Sequence, residues 1–242
     1  MLAALLPLAQ SDDGFVREPG EGSAECVAEN DTVCLGWLTD NIDRYVQPTL
    51  EHLVLVVSSV AAGFVIAMAL AIVSHRRRWL VPALTGVTGV IYTLPSVALF
   101  IILLPISGRG TVTAIIALTL YNLQILYRNI VIGLANVPGA ARDSGRGMGM
   151  TDRQLLWRVE FPLAMPEIIA GLRIATVSTV AIATLAFFAG AGGLGAEIYN
   201  DISFKTGIVA CGTIAITMAI GFDFLYVGAQ RVLSPWRQVR PL

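Results

Sequence analysis

Five apolar stretches separated by short polar breaks organise the chain from residue 53 onward. Leu53 to Val73 runs without a charged side chain, and Trp79 to Ser107 is likewise uncharged and longer than one crossing needs. Gly110 to Tyr127 is a third, shorter run that can continue past Arg128, and Ile174 to Ala196 and Thr206 to Phe222 are the fourth and fifth. A membrane-crossing helix takes about 20 apolar residues to traverse roughly 30 Å of hydrocarbon, and it must satisfy its own backbone because lipid offers no partners. The pattern predicts an all-α membrane protein with five transmembrane helices. Pro95, in the second run, lacks an amide hydrogen and disfavours helix at the residue before it, which predicts a kink or break.

Composition agrees: 55% of the 242 residues are hydrophobic and 14% are charged, where soluble domains carry about 25% charged residues. Mean hydropathy is +0.72. The net charge of -1 conceals an asymmetry, because residues 1–48 hold nine acidic side chains against Arg17 and Arg44. The basic remainder is scattered between apolar runs rather than gathered on one soluble face, which argues against a nucleic-acid partner. Retention of Lys and Arg in short cytoplasmic loops then orients the chain. His75-Arg76-Arg77-Arg78, the arginines between the third and fourth runs, and Arg231, Arg237 and Arg240 fall on one side if the N-terminus is outside and the C-terminus cytoplasmic.

This topology divides the chain into an acidic extracytoplasmic tail (1–48), a transmembrane domain (49–235) and a short cytoplasmic tail (236–242). Cys26 and Cys34 would lie in an oxidising compartment, either paired as a disulfide or as two free thiols. Cys211, inside a span, reads as packing. Met1 to Gln10 is apolar like the middle of a signal peptide but has no basic start, and it is not read as one.

The longest cytoplasmic segment, Asn136 to Arg173, is where chemistry beyond the bilayer is expected, with its working part at about 136–162. Pro138 to Met148 contains helix formers interrupted by Gly145 and Gly147, and Gly149 allows a turn where a side chain would clash. Thr151-Asp152-Arg153-Gln154 reads as a capping box ahead of Leu155, Leu156 and Val159. The expectation is a short helix, a break, and a second helix ending near Phe161, with Pro162 separating it from the next span.

From Asp143 the text DSGRGMGMTDRQLLWRVEFPLAMPEIIAGLR resembles the cytoplasmic EAA loop of ABC importer permeases. Gly149 and Val159 hold the places of the family's glycine and hydrophobic residue, Phe161-Pro162 stands for its Leu-Pro pair, and Asp143-Ser144-Gly145 departs from E-A-A. The acid is kept but shortened, and the glycine lowers helix propensity by up to about 1 kcal/mol. Tyr92-Thr93-Leu94-Pro95-Ser96, Arg128-Asn129 with Gly133-Leu134, Gly147 to Thr151, and Ala189 to Gly195 resemble the glycine betaine, carnitine, choline and proline branch. The resemblance covers about residues 45–235. It implies a second permease subunit, same or homologous, two ATPase subunits on the EAA loops that carry the ATP and magnesium, and an extracytoplasmic substrate-binding protein. The chain contains no G-x-x-x-x-G-K-[ST], so it needs a separate ATPase and has no catalytic residues of its own.

Other signals are weaker. Gly190 to Gly195 matches G-x-G-x-x-G but follows a span instead of a strand, and reads as a turn permitting close helix approach. Tyr92, Pro95, Asn122 and Gln124 are candidates for the translocation path, or else bridge and kink helices for packing. Asp223 is costly in a span unless paired or wet; its place about two turns before Arg231 favours an ion pair or snorkelling over a proton relay. His52 and His75 lie at span boundaries, and no His, Cys or carboxylate cluster has metal-ligand spacing. The reading is a multi-pass permease of the cell membrane for a small osmoprotectant. The rivals are a self-sufficient secondary transporter or channel, which predicts repeated halves and several mid-membrane ionisable groups, and a membrane scaffold.

Overall fold

The structure, a computed structural model, describes residues 24–234. The apolar stretch at Met1 to Gln10, and the C-terminal tail with Arg237 and Arg240, lie outside the described residues. Every regular element described is helical. Two short helices, α1 (Ala24–Ala28) and α2 (Leu35–Asp40), precede the 31-residue α3 (Val46–Arg76). Then follow α4 (Leu80–Thr93), α5 (Ser96–Ser107), α6 (Thr111–Ala135), α7 (Gly139–Gly147), α8 (Asp152–Leu155), α9 (Phe161–Ala183), α10 (Leu194–Asn200) and α11 (Lys205–Leu233). The 25-residue α6 is the hub, packed by α3, α4, α5 and α9, while α11 leans on α9. Its buried face presents Leu118, Leu126, Tyr127 and Ile130 to these neighbours.

Among the described residues, four helical stretches are long and apolar enough to cross a membrane, and the second predicted span differs from them. In place of one long helix, α4 and α5 meet at 99°. Leu94 is extended (ψ 137°) ahead of Pro95, the conformation that a following proline imposes. Each arm is 14 residues or fewer, about 20 Å, too short to cross alone.

The fourth span also needs correction. It was expected at Ile174 to Ala196, with Pro162 as a break before it; the observed helix is Phe161–Ala183, and it continues from α8 without interruption. Between them, Leu156–Glu160 is a π-turn in which the Phe161 amide reaches the Leu156 carbonyl. That wider turn lies where a regular helix would need the amide hydrogen Pro162 lacks, so Pro162 is accommodated within the helix. The apolar residues after Ala183 fold back instead, through a 3-10 turn at Ala186–Ala189 and a glycine-rich turn, into α10.

That glycine turn is a close-approach device. A Cβ on Gly192 would sit 1.9 Å from Glu51 Oε2, and one on Gly195 would sit 1.7 Å from the Thr184 carbonyl oxygen. Glu51, on α3, accepts the Gly193 amide at 2.9 Å and clamps the turn. Nearby His52 is fully buried with Nε2 against the Val180 carbonyl, 3.1 Å away, so it ties α3 to α9.

Residues 24–45, within the expected tail, form a cap on the start of α11. Cys26 and Cys34 are joined as a disulfide. The Cys34 amide donates to Thr206 Oγ1 at 3.2 Å, and Asn30 bonds both Ser203 and Lys205 backbones. Trp37 is buried edge-on against Phe204, 4.7 Å between ring centroids. Arg44 pairs with Glu197 of α10.

Gly195→Ala is expected to lower thermal stability in detergent by the equivalent of at least about 1–3 kcal/mol, the range for overpacking. Gly212→Ala, whose Cβ would meet nothing within 4 Å, is the control and leaves the melting temperature unchanged or raises it.

Candidate coupling loop and membrane path

The loop between α6 and α9 is a compact unit built on local rules. α7 starts after Pro138 and closes with Gly149 in the left-handed region (φ 75°). The Met150 amide returns to the Gly145 carbonyl at 3.2 Å and the Gly149 amide to Arg146 at 2.9 Å, a left-handed helix stop that favours glycine. Thr151 then caps α8: its hydroxyl accepts the Gln154 amide at 3.4 Å, and the Gln154 side chain accepts the Thr151 amide at 2.9 Å.

The two arms pack through Gly145. It is buried, and a Cβ there would lie 2.6 Å from Leu155 Cδ1 and 3.7 Å from Val159 Cγ2. Asp143, Ser144, Gly147, Gly149 and Thr151 point the other way and are exposed, with Met148 and Trp157 among them. With Asp152, Arg146, Arg153 and Arg158 also exposed, the loop offers a mixed apolar and charged outer surface above a small internal core.

An ionic hub that the sequence reading did not single out fixes this unit to the bundle. Glu160 is buried; its carboxylate accepts Arg142 Nε at 2.6 Å and lies 2.9 Å from His75 Nε2. Arg142 also donates to the Leu134 carbonyl at 2.6 Å. One carboxylate therefore joins the last turn of α3, the end of α6, α7 and the α8–α9 helix. The available signal was a glutamate between Val159 and Phe161 at the edge of an apolar run, a placement that calls for a partner if it is buried.

The four path candidates fall on two seams. Tyr92 packs on Tyr121, 4.7 Å between centroids, and Gln124 Oε1 accepts the Thr88 hydroxyl at 2.5 Å, both between α4 and α6. Pro95 sets the α4–α5 bend just beyond. Asn122 faces α9 instead, buried, where its Oδ1 accepts the Thr179 hydroxyl at 2.8 Å. Asn122 and Gln124 act here as helix bridges. Asp223 has a partner other than Arg231: Arg173 of α9 grips it with two nitrogens, Nη2 to Oδ2 at 2.8 Å. Thr176 and Tyr226 bond alongside at 3.0 Å.

This arrangement, a polytopic bundle with a capped two-helix loop, is found in a known class. The pattern of the family described as "Binding-protein-dependent transport system inner membrane component" matches residues 59–239. The chain belongs to that family, and is a multi-pass membrane protein. The choline transport system permease protein OpuBB of Bacillus subtilis is 34% identical over 201 residues, covering 82% of this chain and 93% of the relative. The carnitine transport permease protein OpuCB of Listeria monocytogenes is 39% identical over 189 residues, covering 77% and 87%. The osmoprotectant import permease protein OsmW of Salmonella typhimurium is 34% identical over 206 residues, covering 82% and 96%. A chain of the MetNI methionine ABC transporter, solved in inward-facing conformations, has the same fold. Its TM-score is 0.73 at 21% identity, covering 78% of this chain and 96% of that one.

Glu160→Ala is expected to destabilise the chain and free the loop, because Arg142 keeps its charge with no carboxylate beside it. A fully buried pair broken this way costs roughly 3–5 kcal/mol; Arg142, whose side chain is 22% exposed, regains some water, so the loss should be smaller. Thermal melting together with faster proteolysis after Arg142 or Arg146 checks both effects.

Proposed function

We propose that this chain is the membrane permease subunit of an ATP-binding-cassette importer for a small osmoprotectant of the choline, carnitine and glycine betaine type. The observation that carries the reading is the unbroken helix Asp152–Ala183. A partner seated on α7 and α8 moves a lever whose far end is inside the bilayer, which is what coupling to an external engine requires. Asp143, Ser144, Gly145, Gly147, Gly149, Thr151, Val159 and Pro162 build that coupling loop.

In this reading the loop end of the bundle is cytoplasmic, the disulfide-linked cap is outside, and both termini follow the N-out, C-in expectation. ATP and magnesium are held by separate ATPase subunits, a second permease subunit completes the path, and an extracytoplasmic binding protein delivers the substrate near the cap and α10. The relatives' names supply the substrate class. The broken α4–α5 pair supports a role at the path, because freed backbone groups inside a membrane are tolerated only beside protein or water. A secondary transporter fits less well: Asp223 is paired with Arg173 and Glu51 is engaged by the Gly193 amide, so neither is an isolated acid for proton relay.

The test is uptake of labelled choline, carnitine and glycine betaine into vesicles holding the chain with its ATPase and binding protein. Gly149→Val forces a branched side chain into a left-handed conformation, at a cost of about 1–2 kcal/mol. It should lower ATP-driven uptake about tenfold or more, the rate equivalent of ~1.4 kcal/mol, in a chain that still inserts. Gly149→Asn, which tolerates that conformation, should retain most of the uptake. Uptake that needs no ATP and ignores both substitutions would favour the secondary transporter.

A further inference from the structure

At the loop end, two cavities meet around the same side chains. One, of about 430 Å³, opens between α3, α4 and α6 and is walled by Ala71, Val81, Pro82, Val131, Leu134 and Ala135. The other, of about 490 Å³, is basic: Arg76, Arg78 and Arg146 line it with Asp152 and the Glu160 hub. His75, Arg78 and Arg142 belong to both. Arg142 is engaged by Glu160, but among the described residues Arg76, Arg78 and Arg146 have no carboxylate partner. Trp79, next in the chain to Arg78 and exposed at 70%, is the residue type that settles at headgroup level.

We propose that this double cavity binds one anionic phospholipid, its phosphate held by Arg76, Arg78 and Arg146 and one acyl chain in the apolar chamber. Charge complementarity and position select the occupant. Unpaired guanidiniums form bidentate bonds with phosphate oxygens, and basic pockets between spans at a membrane face are suited to anionic headgroups. A soluble anion would leave the apolar chamber wet. The lipid would brace the end of α3 against α7, touching the Glu160 hub from outside. The inference uses only the membrane placement of the helices and stands apart from the choice of substrate.

The test titrates phosphatidylglycerol into the purified full chain in detergent, read by native mass spectrometry and by thermal shift. Phosphatidylcholine, short-chain phosphatidylglycerol and soluble glycerol phosphate are run in parallel. Each arginine near an anionic lipid contributes about a fivefold factor, so Arg76→Gln/Arg78→Gln/Arg146→Gln should weaken binding by about a hundredfold. Arg77→Gln/Arg153→Gln/Arg158→Gln removes the same charge from side chains outside both cavities and should weaken it far less. Long-chain phosphatidylglycerol should outcompete the short-chain form and glycerol phosphate. Equal losses in the two triple variants would reduce the effect to general surface attraction and overturn the site. Equal binding of glycerol phosphate would overturn the acyl chamber. If the cavity variant binds lipid normally but loses its ATPase subunit, the cavity belongs to a protein partner and the lipid assignment falls.

Discussion

A helix that begins on a capped threonine outside the apolar region and runs through Pro162 into the bundle without a break is the constraint on which the rest depends. Because the π-turn at Leu156–Glu160 takes the place where a regular helix would need the missing amide hydrogen, α8 and the span form one continuous helix. Contacts made by α8 are then made on the same helix as α9, and α7 joins that helix through Gly145 and the Arg142–Glu160 pair. Gly145 lets α7 lie flat on Leu155, and Glu160, on the same helix, binds Arg142 and His75. The loop therefore reports to α3 and α6 through one carboxylate and to α11 through Arg173 and Asp223.

The two ends of the bundle are held by different physics. At the disulfide end, packing against glycine dominates: Glu51 clamps the turn at Gly193, and a Cβ at Gly195 would meet the Thr184 backbone at 1.7 Å. At the loop end, ionic pairs dominate, and free arginines remain to meet the headgroup region.

Much of this was legible in the residues. Apolar run length placed three of the crossings, those of α3, α6 and α11, and Pro95 gave the break between α4 and α5. The capping box and Gly149 gave the helix–turn–helix form of the loop, because each rests on local backbone chemistry. What failed was non-local. Pro162 was read as a terminator because proline usually is one; the π-turn that absorbs it leaves no mark in composition. The alanine- and glycine-rich residues after Ala183 are apolar enough to span, yet they turn back because Gly192 and Gly195 permit approaches that a hydropathy count does not register. Arg173 and Asp223 are fifty residues apart, and Glu160 meets partners from two other helices, so neither pairing can be read from spacing.

The most direct test of the lever is a pair of spin-label distances measured in the complex assembled with its ATPase, with Cys211 replaced, with and without nucleotide. Labels at Arg158 and Ile174, both on the continuous helix, should keep one distance in both states, while labels at Arg158 and Phe224 should change theirs as the lever moves against α11. A nucleotide-dependent change within the first pair would mean that the helix hinges at Pro162, and the rigid link from loop to bilayer would be refuted.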